Sequence, residues 1–346
     1  MKAEYPEVIV RTPNILVIRN DKLGDFMLAW PAISLLKKQY PDSTITALVP
    51  DYTRPIAEMC PWIDELLIDA RQPNSISDML HLTKLIMRGK FNCSISLFSE
   101  TRTSMSLWLA RVPKRYGPAS KLAQAFLNRR LTQRRSRSLK PEYEYNLDLA
   151  RYCITDNGEH PVAHQNPPYL VIAPKITDHL KRQFIIDNNI ENDCRLIIIH
   201  PGSGGSANNL SIEQYGELAK HLNDCIKVFV IITAGPEEYA TASRLSELIG
   251  NVNHSIYHST KGLGEFTEFI SICDIFISGS TGVLHIAGAM DIPTAAFYTN
   301  RTSATSLRWQ TLNREENRIS FSPPDTAPAE DMSSIDVASA ANTICK

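Results

Sequence analysis

Three turns in this chain concentrate the residue types that bind phosphate and accept protons. The first, within "ILVIRNDKLGDFMLAWPA", places Gly24 and Asp25 between an apolar strand and an apolar helix. A carboxylate there is either a helix cap or a proton acceptor facing a ligand. The second, "HPGSGGSANN", sets Gly202, Ser203, Gly204 and Gly205 after a strand, with Asn208 close behind. Such glycines let backbone approach a phosphate or ribose, although the spacing is neither a Walker loop nor Gly-x-Gly-x-x-Gly. The third, "SGSTGVLHIAGAM", ends a strand in Ser280, Thr281 and Gly282 and starts a helix at once. Free N–H groups and the positive helix end suit an anion there. Gly282 is expected to let the anion reach the backbone, Thr281 adds a hydroxyl, and His285 aims an imidazole from one turn on. A Ser/Thr N-cap with a packed histidine is the plainer reading. A second glycine turn in the same half of the chain favours the anion site.

These turns need strands and helices to hold them. In the first half the pattern predicts strands at 15–19, 44–49, 65–68 and 93–98, and helices at 26–39 and 77–87. Phe26, Ala29, Trp30, Ile33 and Leu36 share one helix face, and Pro31 marks a helix start or a bend. In the second half strands are expected at 196–200, 227–233, 254–257, 274–278 and 294–298. The helices between them include one with a capping box, Ser211 with Gln214, and one with Pro236 in its first turn. The last two are expected at 265–272 and 282–290. Alternation of this kind means βαβ units and parallel sheets, which bind ligands at the carboxyl ends of their strands. A segment rich in Pro, Asn and His at 157–176 reads as a linker. The expected architecture is α/β: two doubly wound, Rossmann-like domains facing a cleft. Residues 1–165 and 166–325 form the domains, and 326–346 is a tail that packs back on the first.

Composition narrows the function. The 346 residues carry Lys+Arg 36 against Asp+Glu 37, so no global field points to nucleic acid. Seven scattered cysteines show neither Cys-x-x-Cys nor zinc spacing, which suits a reducing compartment. No apolar run approaches membrane-spanning length and the N-terminus lacks a signal-like core. A cytoplasmic protein is expected, or one lying on a membrane face. A basic stretch contains Arg129, Arg130, Arg134, Arg135, Arg137 and Lys140. It is either a solvated loop or a contact for an anionic, lipid-linked acceptor at the membrane surface. The chain has no Asp-x-Asp, so no metal-chelated diphosphate is expected. Helix dipole and neutral donors would have to stabilise a leaving diphosphate.

Taken together the turns resemble those of glycosyltransferase family 9, the bacterial lipopolysaccharide heptosyltransferases. The matching pieces are "ILVIRNDKLGDFMLAWPAISLLK", "IIIHPGSGGSANNLSIEQYGELAKHL", "TAGPEEY" and "SGSTGVLHIAGAMDIPTAAFY", with "EYEYNLDL" and "RWQTLN" besides. The resemblance implies a GT-B fold, the acceptor held by the N-terminal domain and the nucleotide-sugar donor by the C-terminal one. It implies inverting, metal-independent transfer without a cofactor, heptose from ADP-heptose being the expected case. Carried over, Asp25 falls on the general base, and Ser280, Thr281, Gly282 and His285 on the donor diphosphate site. Ser203, Gly204 and Asn208 fall in the second donor loop, Glu238 by the donor ribose, and Lys261 on a nucleotide-facing loop. Two positions depart: Asn208 stands where many heptosyltransferases have a lysine, and Ser280 where they have an aspartate. An epimerase, or a non-catalytic nucleotide-sugar binder, on the same architecture remains the alternative.

Overall fold

The computed structural model describes residues 13–69, 75–191, 193–202 and 208–346. Two six-stranded sheets, parallel throughout, account for the architecture. The first is built from β1 (Asn14–Ile18), β2 (Thr44–Pro50), β3 (Glu65–Asp69), β4 (Cys93–Ser96), β5 (Lys114–Pro118) and β6 (Arg129–Leu131). Its helices are α1 (Leu23–Met27), α2 (Trp30–Gln39), α3 (Arg54–Glu58), α4 (Ile76–Gly89), α5 (Thr101–Leu109) and α6 (Glu142–Asp156). After α7 (Pro174–Asp187) the second sheet takes β7 (Arg195–His200), β8 (Val228–Ala234), β9 (His254–His258), β10 (Ile275–Gly279), β11 (Thr294–Phe297) and β12 (Arg318–Phe321). Its helices are α8 (Ile212–Cys225), α9 (Tyr239–Ile249), α10 (Leu263–Ile270), α11 (Gly282–Ala289) and α12 (Val337–Ile344).

The strand orders are β3-β2-β1-β4-β5-β6 and β12-β11-β10-β7-β8-β9. Each is the doubly wound order, and it reverses between β1 and β4 and between β7 and β10. Crevices open at such reversal points, outside the carboxyl ends of the strands. The β1–α1 and β10–α11 turns lie at these two places, so topology alone aims Asp25 and Thr281 into crevices. Central strands read as unbroken apolar runs because helices cover both faces: Ile15, Leu16, Val17 and Ile18 are buried, and so is all of β8. One apolar cluster runs from Ile15, Phe26 and Trp30 of the first half to Phe266, Leu284 and Ile286 of the second, so the halves are packed together there.

Several expectations change. The helix predicted over 26–39 is two helices. The chain breaks at Leu28–Ala29, and α2 restarts with Pro31 in its first turn, where a missing N–H costs nothing. Asn146 donates to the Leu28 carbonyl at 3.0 Å, satisfying it at the break. The basic stretch holds edge strand β6, which a polar, arginine-rich sequence does not announce, because pairing with β5 supplies its order. "APKITD" is not linker but the start of α7, with Pro174 in the first turn. Pro236 precedes α9 rather than entering it, since the helix starts after Glu238. The tail packs on the second domain, not the first. Ala340, Ala341 and Ile344 join Tyr215, Leu218 and Leu222 in the second core, and Gln214 donates to the Met332 carbonyl at 2.9 Å. The apolar face of α12 finds its nearest complementary surface on α8. The Ser211–Gln214 capping box forms as read.

Candidate active site

Helix α1 of the first half and α11 of the second meet at their N-terminal ends, and two glycines permit it. A Cβ on Gly24 would lie 2.8 Å from Cδ2 of His285, and one on Gly282 would lie 2.9 Å from Cδ2 of Leu23. Each helix thus receives a side chain of the other where it has none itself. Leu23 fills the space that a side chain would take at Gly282, while Gly282 itself lines the cleft. His285 is buried and lines the cleft, with no partner at Nδ1. Burial pulls its pKa down to about 4, so the ring is neutral at pH 7.

Asp25 does not cap α1. The N-cap is Lys22, no side chain caps the helix, and Asp25 lies inside the first turn. Its carboxylate instead pairs with Nη2 of Arg19. Arg19, at the end of β1, fans out to three acids: Nε reaches Asp21 at 2.9 Å and Nη1 reaches Glu142 at 3.0 Å. Nη1 also donates to the carbonyl of Leu97 and to Asn146, each at 3.2 Å. Burial works against the Arg19 cation, but Asp21, Asp25 and Glu142 outweigh it and keep it firmly charged. For Asp25, burial raises the pKa most and Asp21 and Glu142 add to it. Arg19 opposes them, and the balance falls at about 7. A carboxylate poised there is half ready to accept a proton at neutral pH. Glu142 is more deeply buried, but Arg19, Arg135 and Arg308 overcome the desolvation and hold it below the usual carboxylate range.

The crevices merge into one cleft of about 1080 Å³. Lys22, Gly24 and Asp25 of the first half line it together with His200, Asn208, Ser280, Thr281, Gly282 and His285 of the second. Thr281 is the N-cap of α11 and accepts from the Leu284 N–H at 3.4 Å. The cap occupies one N–H group of the first turn, so the cap reading is observed and leaves room for the anion reading. Glu238 accepts from the Gly235 N–H at 3.0 Å and stands 3.8 Å from Nε2 of His200, beside Gly202. A Cβ on Gly202 would strike it at 2.2 Å, so that glycine makes room for the acid.

Other candidates scatter. Ser203 and Gly204 lie outside the described residues. Lys261 is exposed, pairs with Glu265 at 3.1 Å and is not among the cleft-lining residues. Arg129 pairs with Asp156 at 2.9 Å, while Arg130 and Arg134 are exposed. Arg135 is a correction: it turns inward, onto Glu142 at 2.6 Å and the Leu97 carbonyl at 3.0 Å, and offers no membrane contact. A buried carboxylate and carbonyl outbid solvent for its guanidinium. Sequence reading missed Arg19, Asp21, Glu142 and Arg308 as members of the site. Glu142 opens α6, where an acid is ordinary, and nothing local says that 123 residues separate it from its partner Arg19. Among the described residues no group of three or more His, Cys, Asp or Glu is arranged to hold a metal ion, and no helix is long and apolar enough to cross a membrane.

Comparison with known proteins gives the family and the fold. Residues 79–334 match the family described as Glycosyltransferase family 9 (heptosyltransferase). A Haemophilus influenzae protein named "Putative glycosyltransferase" is 43% identical over 311 residues, covering 90% of this chain and 89% of that protein. Lipopolysaccharide heptosyltransferase 2 of Salmonella typhimurium is 23% identical over 297 residues, covering 82% of each. Among solved structures, the Escherichia coli ADP-heptose lps heptosyltransferase II superposes with a TM-score of 0.72 at 17% identity, over 96% of this chain and 98% of that one. The E. coli heptosyltransferase WaaC with ADP superposes at 0.71 and 15% identity, with the same coverage.

Proposed function

The chain belongs to glycosyltransferase family 9, and we propose that this glycosyltransferase moves a heptose from ADP-heptose onto a lipopolysaccharide core acceptor, with inversion and without a metal. One observation carries the chemistry: a carboxylate with a pKa of about 7 and the N-terminus of α11 face each other across one cleft, from opposite halves of the chain. Asp25 takes the proton of the acceptor hydroxyl as it attacks the anomeric carbon. The nucleoside diphosphate leaves from the other face toward the free N–H groups of α11, the Thr281 hydroxyl and neutral His285. Glu238, which accepts from the Gly235 N–H, takes the donor ribose in this reading. ADP-heptose is favoured because relatives with these folds are named for it or were solved with ADP. Exposed Arg130 and Arg134 are left to meet an anionic acceptor or membrane surface on the first domain.

A thermal-shift panel of ADP-, UDP-, GDP- and CMP-sugars tests the donor. ADP-heptose should raise Tm most, and a larger shift with another nucleotide removes the heptose reading. Release of ADP that requires an acceptor separates a transferase from an epimerase or a binder. Thr281→Val removes both the α11 N-cap and one hydroxyl donor to an anion, so thermal stability should fall by the worth of a cap, about 1 kcal/mol, and calorimetry should show the donor Kd rise by about tenfold. Turnover is expected to persist in excess EDTA, since helix dipole and neutral donors carry the leaving charge. Activity lost to the chelator and restored by Mg²⁺ or Mn²⁺ overturns that part.

A further inference from the structure

The buried charge cluster around Asp25 is completed by a side chain from the other half of the protein. Arg308 lies in the connection between β11 and β12, yet its Nη2 pairs with Glu142 of α6, and its Nη1 donates to the Arg135 carbonyl at 2.8 Å. The backbone repeats the contact, with the Glu142 N–H donating to the Arg308 carbonyl at 2.9 Å. The guanidinium sits 4.9 Å from the centre of the Tyr145 ring, one turn further along α6. Arg308 is buried, as are Arg19 and Glu142. Three acids (Asp21, Asp25, Glu142) thus balance three arginines (Arg19, Arg135, Arg308), and one cation of the three comes from across the domain boundary.

We propose that Arg308 is a positioning residue: by holding Glu142 against Arg19 across the domain boundary it sets the orientation and charge of Asp25, so the base is ready only when the two halves are docked. This rests on the reading of Asp25 as the base. Without Arg308 the second carboxylate oxygen of Glu142 loses its ion pair, and the cluster keeps three acids for two cations. An uncompensated buried carboxylate draws Arg19 away from Asp25 and disfavours a second negative charge nearby. The groups facing Asp25 are Arg19 and Asp21 from its own turn, Glu142 from α6, and His285 from α11, which burial keeps neutral; Lys22 beside it is exposed. Within that set Arg19 is the one cation that opposes the acids, so the charge balance at Glu142 reaches Asp25 both through space and through Arg19.

The sign of the effect gives the test. Arg308→Gln removes a cation and should raise the Asp25 pKa by about one unit; Glu142→Gln removes an anion and should lower it by a similar amount. A residue that merely supports the fold would not move the two in opposite directions. Carbon-13 labelling of the aspartates, with Asp25 identified by its loss in Asp25→Asn, reads the titration in the full chain without substrate. Arg308→Gln/Glu142→Gln and Arg308→Lys should both return close to wild type. The acid limb of the kcat profile should move with the titration in each variant. An Asp25 titration unmoved, or moved the same way, in both single variants overturns the proposal. If Arg308→Gln does not fold, Glu142→Gln and the double variant still decide it. Opposite shifts accompanied by normal turnover in Asp25→Asn keep the relay and remove instead the assignment of Asp25 as the base.

Discussion

Asp25→Asn is expected to lower turnover by about 10²–10⁴-fold, the usual worth of a positioned general base, with donor affinity nearly intact. The amide keeps the shape of the carboxylate and can still accept from Arg19, which also retains Asp21 and Glu142 as partners. Since no side chain caps α1, no cap is lost. What disappears is proton acceptance. In the wild type the base form of Asp25 prevails above pH 7 and is lost as pH falls through about 7, so kcat should drop on the acid side of that value. That limb should vanish in Asp25→Asn. A stopped assay with saturating donor and true acceptor measures both effects. Near-normal kcat would make Asp25 only an ion-pair partner of Arg19.

Gly282→Val should be nearly as damaging, although it removes no functional group. A Cβ there already lies 2.9 Å from Cδ2 and 3.0 Å from Cβ of Leu23. The Leu23 Cβ cannot swing aside without its backbone, so α1 must move, and α1 carries Asp25. Overpacking of this kind costs about 1–3 kcal/mol. The greater loss is geometric, because displacement of a reacting group by about 1 Å can cost on the order of 10²-fold in rate. The expected result is native circular dichroism, a Tm lowered by several degrees and turnover down by about 10²-fold or more. Turnover within a few-fold of wild type would show that the contact between α1 and α11 does not hold the base in place.

The parts of the site that were legible in the sequence are those built from neighbouring residues. Thr281 and Gly282 read as a helix start because strand, small residues and apolar helix follow one another, and the capping box of Ser211 and Gln214 spans only three residues. Pro31 announced the break before α2 for the same local reason. Arg135 was read wrongly because an arginine among arginines looks solvated. Its destination, Glu142, is settled by how the segment after β6 folds over the carboxyl end of β4. Edge strand β6 and helix α7 were missed where polar composition or a proline hid an element that packing supplies.

By itself, then, the sequence determined two parallel α/β sheets, the turns that end their central strands, and the family that those turns mark. Hydrophobic period and glycine placement are properties of short windows, and a short window carries them in full. The tertiary structure alone decided what those turns do together. It seats Leu23 beside Gly282 and His285 beside Gly24, and it turns the tail onto α8. It also links Asp25, Arg19, Glu142 and Arg308 into one chain of ion pairs from three distant segments. The pKa of Asp25 is the sum of burial and of the charges on Arg19, Asp21 and Glu142, and neither burial nor the approach of Glu142 is written in any single stretch of chain.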